Sequence, residues 1–239
     1  MLYDEDYFFG KYSQIAAGAD AVFERVKADF PNEVRCATGC SDCCYALFDL
    51  TLVEAMALNK AFRETLDEAT REKVLERANS ADRQTVKIKR EANHARQKGV
   101  APEEILQELG TKRVRCPLLE EDNTCLLYKN RPITCRLYGI PMVSGGQTHT
   151  CGLSAFEPGG QYPTVDMDKI TDRLLALAQE FSQSIPTKFT QLGEVLMPVS
   201  MALLTEFDEE YLGIRPERLQ ESADGGPQEW VLGTGAEKE

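Results

Sequence analysis

The chain has 239 residues, of which 42% are hydrophobic and 28% are charged, and its formal net charge is −12. This length allows one substantial hydrophobic core or two small ones, and the composition is typical of a soluble globular protein. The acidic balance argues against a nucleic-acid partner, because phosphates favour a basic surface. No apolar run approaches the roughly 20 residues that a membrane span needs. We therefore expect neither nucleic acid nor a membrane as a partner.

The N-terminal segment MLYDEDYFFG lacks the basic start and the small-residue cleavage site of a secretory signal. We therefore expect a cytoplasmic protein. This expectation bears on the cysteines, because disulfides are uncommon in a reducing cytosol. Clustered cysteines in that compartment more often bind metal or take part in catalysis.

The predicted elements of the first half are mostly helical. An apolar stripe at steps of three and four residues predicts an amphipathic helix over 4–30, which Pro31 ends. The pattern from Thr51 to Glu54 is a capping box, and it predicts a helix through about residue 62. A long charged helix is expected over 67–98, followed by a short one over 102–109. The long helix carries an alanine-rich seam, which suits either a hairpin arm within the chain or a dimer contact.

The second half is expected to combine a hairpin with further helices. Two short apolar runs around the turn-forming EEDN at 120–123 predict a β-hairpin. A helix beginning near Pro132 would place Cys135 at its N-terminal end, where the dipole favours a thiolate. A helical stripe runs from Ile170 to Ile185, and a last helix is expected over 198–212. The fold class predicted from these elements is mainly α with a small β-hairpin, with helices around a Cys-rich metal-binding core.

Eight cysteines carry most of the functional information. They fall into two runs of four, and all eight are candidate metal ligands: Cys36, Cys40, Cys43, Cys44, Cys116, Cys125, Cys135 and Cys151. Four thiolates complete a shell for zinc or for an iron–sulfur cluster, so eight can fill two shells. The adjacent Cys43 and Cys44 cannot easily point at one spot. Either the pair serves two metals, or one of them supports the other as a ligand.

Basic residues are concentrated near the second run of cysteines. Between Lys112 and Arg136 there are six basic residues and three acidic ones, although the whole chain is acidic. A thiolate cluster is anionic, and neighbouring cations offset its charge. The arginines next to cysteines are expected to donate hydrogen bonds to sulfur: Arg35, Arg115 and Arg136. A solvated positive face is the alternative interpretation of this pattern.

The segments CATGCSDCC at 36–44 and RCPLLEEDNTCLLYKNRPITCR at 115–136 resemble the CxxCxxCC cysteine-cluster family of zinc- or iron-chelating domains, also called YkgJ-like. The resemblance covers about residues 34–153 and implies metal chelation by the eight cysteines. We accordingly expect an N-terminal amphipathic helix over 1–33 and a metal-binding domain over 34–153 with a helical insertion at about 50–110. C-terminal helices over 154–213 are expected to pack on this domain, and a mobile tail is expected over 214–239.

The expected cofactor is an iron–sulfur cluster, with zinc as the other candidate. Structural zinc usually shows paired C-x₂-C knuckles, and only Cys40 and Cys43 have that spacing here. The expected role is electron transfer or metal-dependent regulation with a redox or protein partner. No catalytic residue and no oligomeric state is indicated by the sequence.

Two enzymatic alternatives arise from the same cysteines. The resemblance extends to flagellin lysine N-methylase, which implies an S-adenosylmethionine-dependent protein methyltransferase whose cluster is structural or substrate-binding. The chain has no G-x-G-x-x-G loop to support this alternative. The spacing of Cys36, Cys40 and Cys43 also matches the radical S-adenosylmethionine signature. Asp42 replaces the aromatic residue that usually precedes the last cysteine, and the chain lacks alternating strands and helices.

Overall fold

The computed structural model describes residues 3–215. Seven α-helices are present in this part of the chain: α1 Glu5–Asp29, α2 Leu52–Thr65, α3 Glu68–Gln97, α4 Pro102–Thr111, α5 Ile133–Leu137, α6 Met167–Ser184 and α7 Val199–Leu204. The strands are short: β1 Asp49–Thr51, β2 Met142–Ser144, β3 Gln147–His149, β4 Val165–Asp166 and β5 Leu196–Pro198. The predicted mainly α class is confirmed.

Helix α1 forms where the apolar stripe predicted it. The Asp4 side chain caps its first turn by accepting a hydrogen bond of 2.9 Å from the Tyr7 N–H. Residues at helical spacing are buried along one face, among them Phe8, Tyr12 and Phe23. The last residue of the helix is Asp29, and its C-cap Phe30 directly precedes Pro31.

Helix α2 lies at the centre of the core and contacts α1, α6 and α7. Its capping box is only half formed. The Glu54 carboxylate accepts a hydrogen bond from the Thr51 backbone, as the motif predicts. The Thr51 hydroxyl makes no capping bond, and this buried oxygen has no hydrogen-bond partner among the described residues.

Helix α3 follows the predicted boundaries closely. The Asp67 side chain caps it through the Thr70 N–H, and Gly99 follows its C-terminal end with a φ of +83°. The first half of its seam, including Val74 and Ala78, is buried. This half packs on α7, and α4 returns along α3 after the Gly99 turn. The small side chains of the seam therefore pack within the chain.

The strands connect segments that are distant in sequence. Strand β1 pairs antiparallel with β5, with Leu50 opposite Met197. Strand β2 pairs antiparallel with β3 across Gly145 and Gly146, whose positive φ angles suit a tight hairpin turn, and parallel with β4. The hairpin predicted around the EEDN turn is reduced to one bridge between Leu119 and Cys125.

Helix α7 is shorter than predicted, because side chains of α2 bind its C-terminal carbonyls. The prediction of a helix through residue 212 is wrong. Asn59 donates hydrogen bonds to the carbonyls of Ala202, at 2.8 Å, and Thr205, at 3.0 Å. The Thr205 hydroxyl also donates to the Met201 carbonyl at 2.7 Å. These bonds satisfy groups that a continuing helix would pair with its own backbone.

A contiguous apolar core joins the helices on both sides of the cysteine segments. Among residues 3–215, no helix combines the length and the apolar character that crossing a bilayer requires. The domain boundaries given above stay predictions. Of the tail expected over 214–239, the backbone N–H of Arg215 bonds to Pro186, and Ile214 forms a bridge with Thr187. Residues 216–239 lie outside the described part.

Candidate metal centre

The first run of cysteines lies in a series of tight turns after α1. The Cys40 N–H donates to the Ala37 carbonyl at 3.0 Å, and Gly39 between them has a φ of +86°. This left-handed conformation is one that glycine adopts without strain. Residues Asp42–Tyr45 then form a short 3₁₀ helix that carries Cys43 and Cys44. Local backbone bonds therefore hold the sulfurs of this run close together.

The second run begins in an extended segment that pairs with the first. The Cys116 N–H donates to the Cys44 carbonyl at 2.7 Å. The turn that follows brings Cys125 back beside Leu119. The Ser41 hydroxyl donates to the Asn123 side-chain oxygen at 3.3 Å. Segments about 80 residues apart in the sequence are thus joined directly at the cysteines.

Helix α5 brings Cys135 to the same place. Its first turn is tied to α2, because the Glu54 carboxylate accepts a hydrogen bond of 2.8 Å from the Ile133 N–H. The same carboxylate oxygen accepts a second bond, of 3.2 Å, from the Tyr12 hydroxyl. Burial raises the pKa of Glu54 to about 7. A buried carboxyl of the core therefore positions the helix that carries Cys135.

Cys36 and Cys151 lie together beside Asp42. The Cys151 thiol donates to the Asp42 carboxylate at 3.5 Å, and the Leu153 N–H donates to the Cys151 sulfur at 3.4 Å. The Cys36 sulfur packs against Gly139, where an added Cβ would lie 2.2 Å from it. Any larger residue at position 139 would therefore force the Cys36 side chain to move.

A cavity of about 310 Å³ lies next to the cysteines. Six of them line it: Cys40, Cys43, Cys44, Cys116, Cys125 and Cys135. The remaining wall is largely apolar and includes Phe48, Val114 and Val199. Within the described part of the chain, its lining contains two arginines, Arg115 and Arg131, and neither aspartate nor glutamate. A cavity without carboxylates in a chain of net charge −12 is electrostatically suited to thiolates.

The thiols of Cys135 and Cys44 contact the Cys43 sulfur, and these contacts hold the pKa of Cys43 far below its ordinary value. The same contacts, followed by burial, raise the pKa values of Cys44 and Cys135. Burial also raises the pKa of Cys116, to about 12. Helix α5 has only five residues, so the dipole at its N-terminal end is short, and the thiolate expected at Cys135 stays a prediction.

The arginines next to cysteines bind backbone carbonyls instead of sulfur. Arg115 donates to the carbonyls of Leu119 and Glu120, at 3.1 and 3.0 Å. The buried Arg136 donates to the carbonyls of Arg131 and Lys129 and forms an ion pair with Asp20. Arg35 is exposed. Arg115 and Arg136 thus bind the nearer carbonyl acceptors of the second run, and donation by the three arginines to the sulfur of a bound cluster stays a prediction.

Arg131 is a lining cation that the sequence reasoning missed, and its guanidinium also forms an ion pair of 3.7 Å with Asp20. Its charge lowers the pKa of Cys43 and partly offsets the raised pKa of Cys125. The guanidinium stacks on Tyr128, 4.0 Å from the ring centroid. Its Nε is buried and has no hydrogen-bond partner among the described residues. Arg131 is not adjacent to a cysteine, and its position in the R-P-x-x-C-R motif was the available signal.

The family model CxxCxxCC, described as "Putative zinc- or iron-chelating domain", matches residues 35–152, about half of the chain. The chain belongs to the CxxCxxCC family. No curated protein and no solved structure matches it. The matched residues include all eight cysteines and the cavity walls that they form.

The donor set of this CxxCxxCC chain fits a thiolate-bound metal. All eight cysteines are free thiols. Sulfur is the donor that zinc and iron–sulfur clusters share, and a bound sulfur would give the buried Arg131 Nε an acceptor. Within residues 3–215, no three His, Cys, Asp or Glu side chains already surround a common point as metal ligands. Metal binding therefore requires side-chain rotation that brings the sulfurs together.

Proposed function

We propose that this CxxCxxCC chain holds an iron–sulfur cluster, zinc or both through its eight cysteines, and that it works in electron transfer or metal-dependent regulation. The observation that carries the proposal is the cavity lined by six cysteines and no carboxylate. Thiolates repel one another, so gathering them is unfavourable unless a cation shares their charge. The two arginines of the lining supply part of that charge, and a metal would supply the rest.

The size of the cavity favours a cluster over a single ion. The cavity measures about 310 Å³, whereas one water molecule needs roughly 10–15 Å³ on the same measure. Structural zinc sites are closed shells in which four ligands surround one ion. A volume of this size suits a group of several iron and sulfide atoms better. The iron–sulfur cluster is therefore the preferred occupant of the cavity, with zinc as the other candidate for the same cysteines.

The position of the cysteines supports exchange with a partner. Seven of the eight are partly exposed, and Cys151 alone is buried. A group bound there would lie near the surface, where a redox or protein partner can approach it. The iron–sulfur group would supply the electron. The protein's own residues would set its environment, with Arg131 offsetting the thiolate charge and the apolar wall limiting access of water.

The test is anaerobic purification followed by iron, sulfide and zinc analysis and visible spectroscopy. We expect a coloured protein with stoichiometric iron and sulfide, which dithionite bleaches and air restores. A colourless protein with stoichiometric zinc and no iron would exclude the cluster and leave zinc. A chain that retains neither metal, even after anaerobic reconstitution, would refute metal binding altogether. Electron transfer is refuted separately if iron is bound but the spectrum does not respond to reductant.

A further inference from the structure

The eight sulfurs are grouped in space differently from their order in the chain. The cavity lining, as residues 3–215 form it, includes three members of the second run and omits the fourth, Cys151. It also omits Cys36, the first member of the first run. One cysteine of each run therefore lies apart from the cavity.

A deep group surrounds the cavity. Cys44 belongs to it, because its carbonyl accepts the hydrogen bond from the Cys116 N–H at 2.7 Å. Cys125 is brought to the same wall by its bridge with Leu119, and Cys135 by α5. These four sulfurs come from an extended segment, a turn and two short helices, and all four line the cavity. Four thiolates complete a shell.

An outer group, named for its position outside the cavity lining although Cys151 is itself buried, consists of Cys36 and Cys151. The loop that carries Cys151 is bonded to both ends of the first run. Its Ala155 N–H donates to the Glu33 carbonyl at 2.9 Å, and its Cys151 thiol donates to Asp42 at 3.5 Å. These bonds hold Cys151 beside Cys36, whose sulfur fills the space against Gly139.

Cys40 and Cys43 lie between the two groups. Both line the cavity, and Cys40 is fixed near Cys36 by the turn at 37–40. The Cys43 sulfur contacts Cys135 and Cys44, both of the deep group, and it also lies close enough to Cys36 to raise the pKa of that thiol. The deep group has four sulfurs without Cys43, whereas the outer pair needs two more ligands, so Cys40 and Cys43 are assigned to the outer pair.

We propose that the eight cysteines form two separate metal sites. Each site combines three cysteines of one run with one cysteine of the other run. The deep site takes Cys44, Cys116, Cys125 and Cys135. The outer site takes Cys36, Cys40, Cys43 and Cys151. This assignment rests on the proposed function, and it gives the adjacent Cys43 and Cys44 to different metals. In the alternative, chain-order assignment, each run of four cysteines binds one metal. Cys44 then shares a site with Cys36, and Cys151 shares a site with Cys125.

Two double variants distinguish these assignments. In Cys44→Ser with Cys125→Ser, both changes fall in the deep site, so one metal is retained. In Cys36→Ser with Cys44→Ser, each change falls in a different site, so both metals are lost. The chain-order assignment predicts the opposite result for both variants. Each double variant removes two thiols, and both contain Cys44→Ser. A difference in metal content between them therefore cannot come from the number of thiols removed.

The measurement is anaerobic titration of the metal-free full chain with Co²⁺ alone, in the presence of a competing chelator. Thiolate-to-cobalt absorption reports the number of sites, and far-UV circular dichroism reports folding. We expect two equivalents for the wild type, one for the first variant and none for the second. Glu121→Ser, an exposed change in the turn before Cys125, serves as the control and is expected to keep two equivalents.

The outcomes separate the two proposals. Wild-type protein that binds no cobalt and no other metal would refute the proposed function. Wild-type protein that binds one equivalent, or the reverse pattern in the two double variants, would overturn only the assignment. Equal loss in both variants with native circular dichroism would also overturn it, because the sites would then not be separable.

Discussion

Replacing Glu54 with glutamine tests whether the buried carboxyl beneath α5 shapes the pH dependence of stability. Glu54 is 3% exposed, and burial raises its pKa from 4.5 to about 7. The folded state therefore binds the proton more tightly than the unfolded state does. Its contribution to stability is fully present below pH 4.5 and is lost as the pH rises to about 7. The shift corresponds to about 3 kcal/mol between these limits.

We expect the free energy of unfolding of Glu54→Gln to exceed that of the wild type by an amount that grows with pH. The amide keeps an oxygen for the Ile133 N–H and the Tyr12 hydroxyl but cannot ionise. At pH 8 the free energy of unfolding of the variant should exceed that of the wild type by up to about 3 kcal/mol. At pH 5 this advantage should fall to about 1 kcal/mol, because the carboxyl is then mostly protonated in the folded state but already partly ionised in the unfolded state. The new amide N–H₂ at position 54 has no identified hydrogen-bond acceptor among the described residues. This reduces the increase in the free energy of unfolding by about 1 kcal/mol.

The assay is urea unfolding of metal-free, reduced protein at pH 5 and pH 8, analysed as the difference between variant and wild type. Cysteine titration contributes to both proteins and cancels in this difference. Glu64→Gln, at an exposed position of the same helix, is the matched control and should change stability little at either pH. The reasoning is refuted if the difference for Glu54→Gln is the same at both pH values.

Three further variants test other features. Thr51→Val removes a buried hydroxyl without a partner and should raise the free energy of unfolding by about 1 kcal/mol; a clear loss in urea unfolding would contradict this. Gly139→Ala places a Cβ 2.2 Å from the Cys36 sulfur and should lower metal content, whereas Gly152→Ala, with open space around its Cβ, should not; equal metal content in both would exclude the clash. Asn59→Ala removes the bonds to the end of α7 and should lower the melting temperature by several degrees, at about 2 kcal/mol; an unchanged melting temperature would show that water replaces them.

The helices with strong local signals could be predicted from the sequence. In α1 and α3 the apolar spacing and the caps at Asp4 and Asp67 all favour a helix, so the boundaries are correct within about one residue. The early end of α7 could not be predicted, because it depends on Asn59, a residue 143 positions from Ala202. The local sequence favours a helix that continues beyond Leu204, and the tertiary hydrogen bonds from Asn59 override this preference.

The eight cysteines could be chosen from the sequence as candidate ligands, and that role stays a prediction, whereas their grouping in space could not be predicted. The runs of cysteine are visible in the sequence, whereas the position of Cys151 beside Asp42 depends on backbone bonds between distant loops. The role of Arg131 was hidden for a similar reason. Arg115 and Arg136 are adjacent to cysteines, yet their side chains turn back to nearby carbonyls. Sequence adjacency does not determine which way a long side chain points.

The antiparallel pair β1–β5 gives the cysteine-free segment after Cys151 a protective role. Pro198, Val199 and Ser200 follow from β5 and form part of the cavity wall, although they lie outside the matched residues 35–152. An excised 35–152 fragment would keep every thiol but lose this shield. Bulk water and oxygen would then reach the sulfurs from that side, so the fragment would oxidise faster than the intact chain. Residues outside the matched family segment thus determine how long the thiols stay reduced.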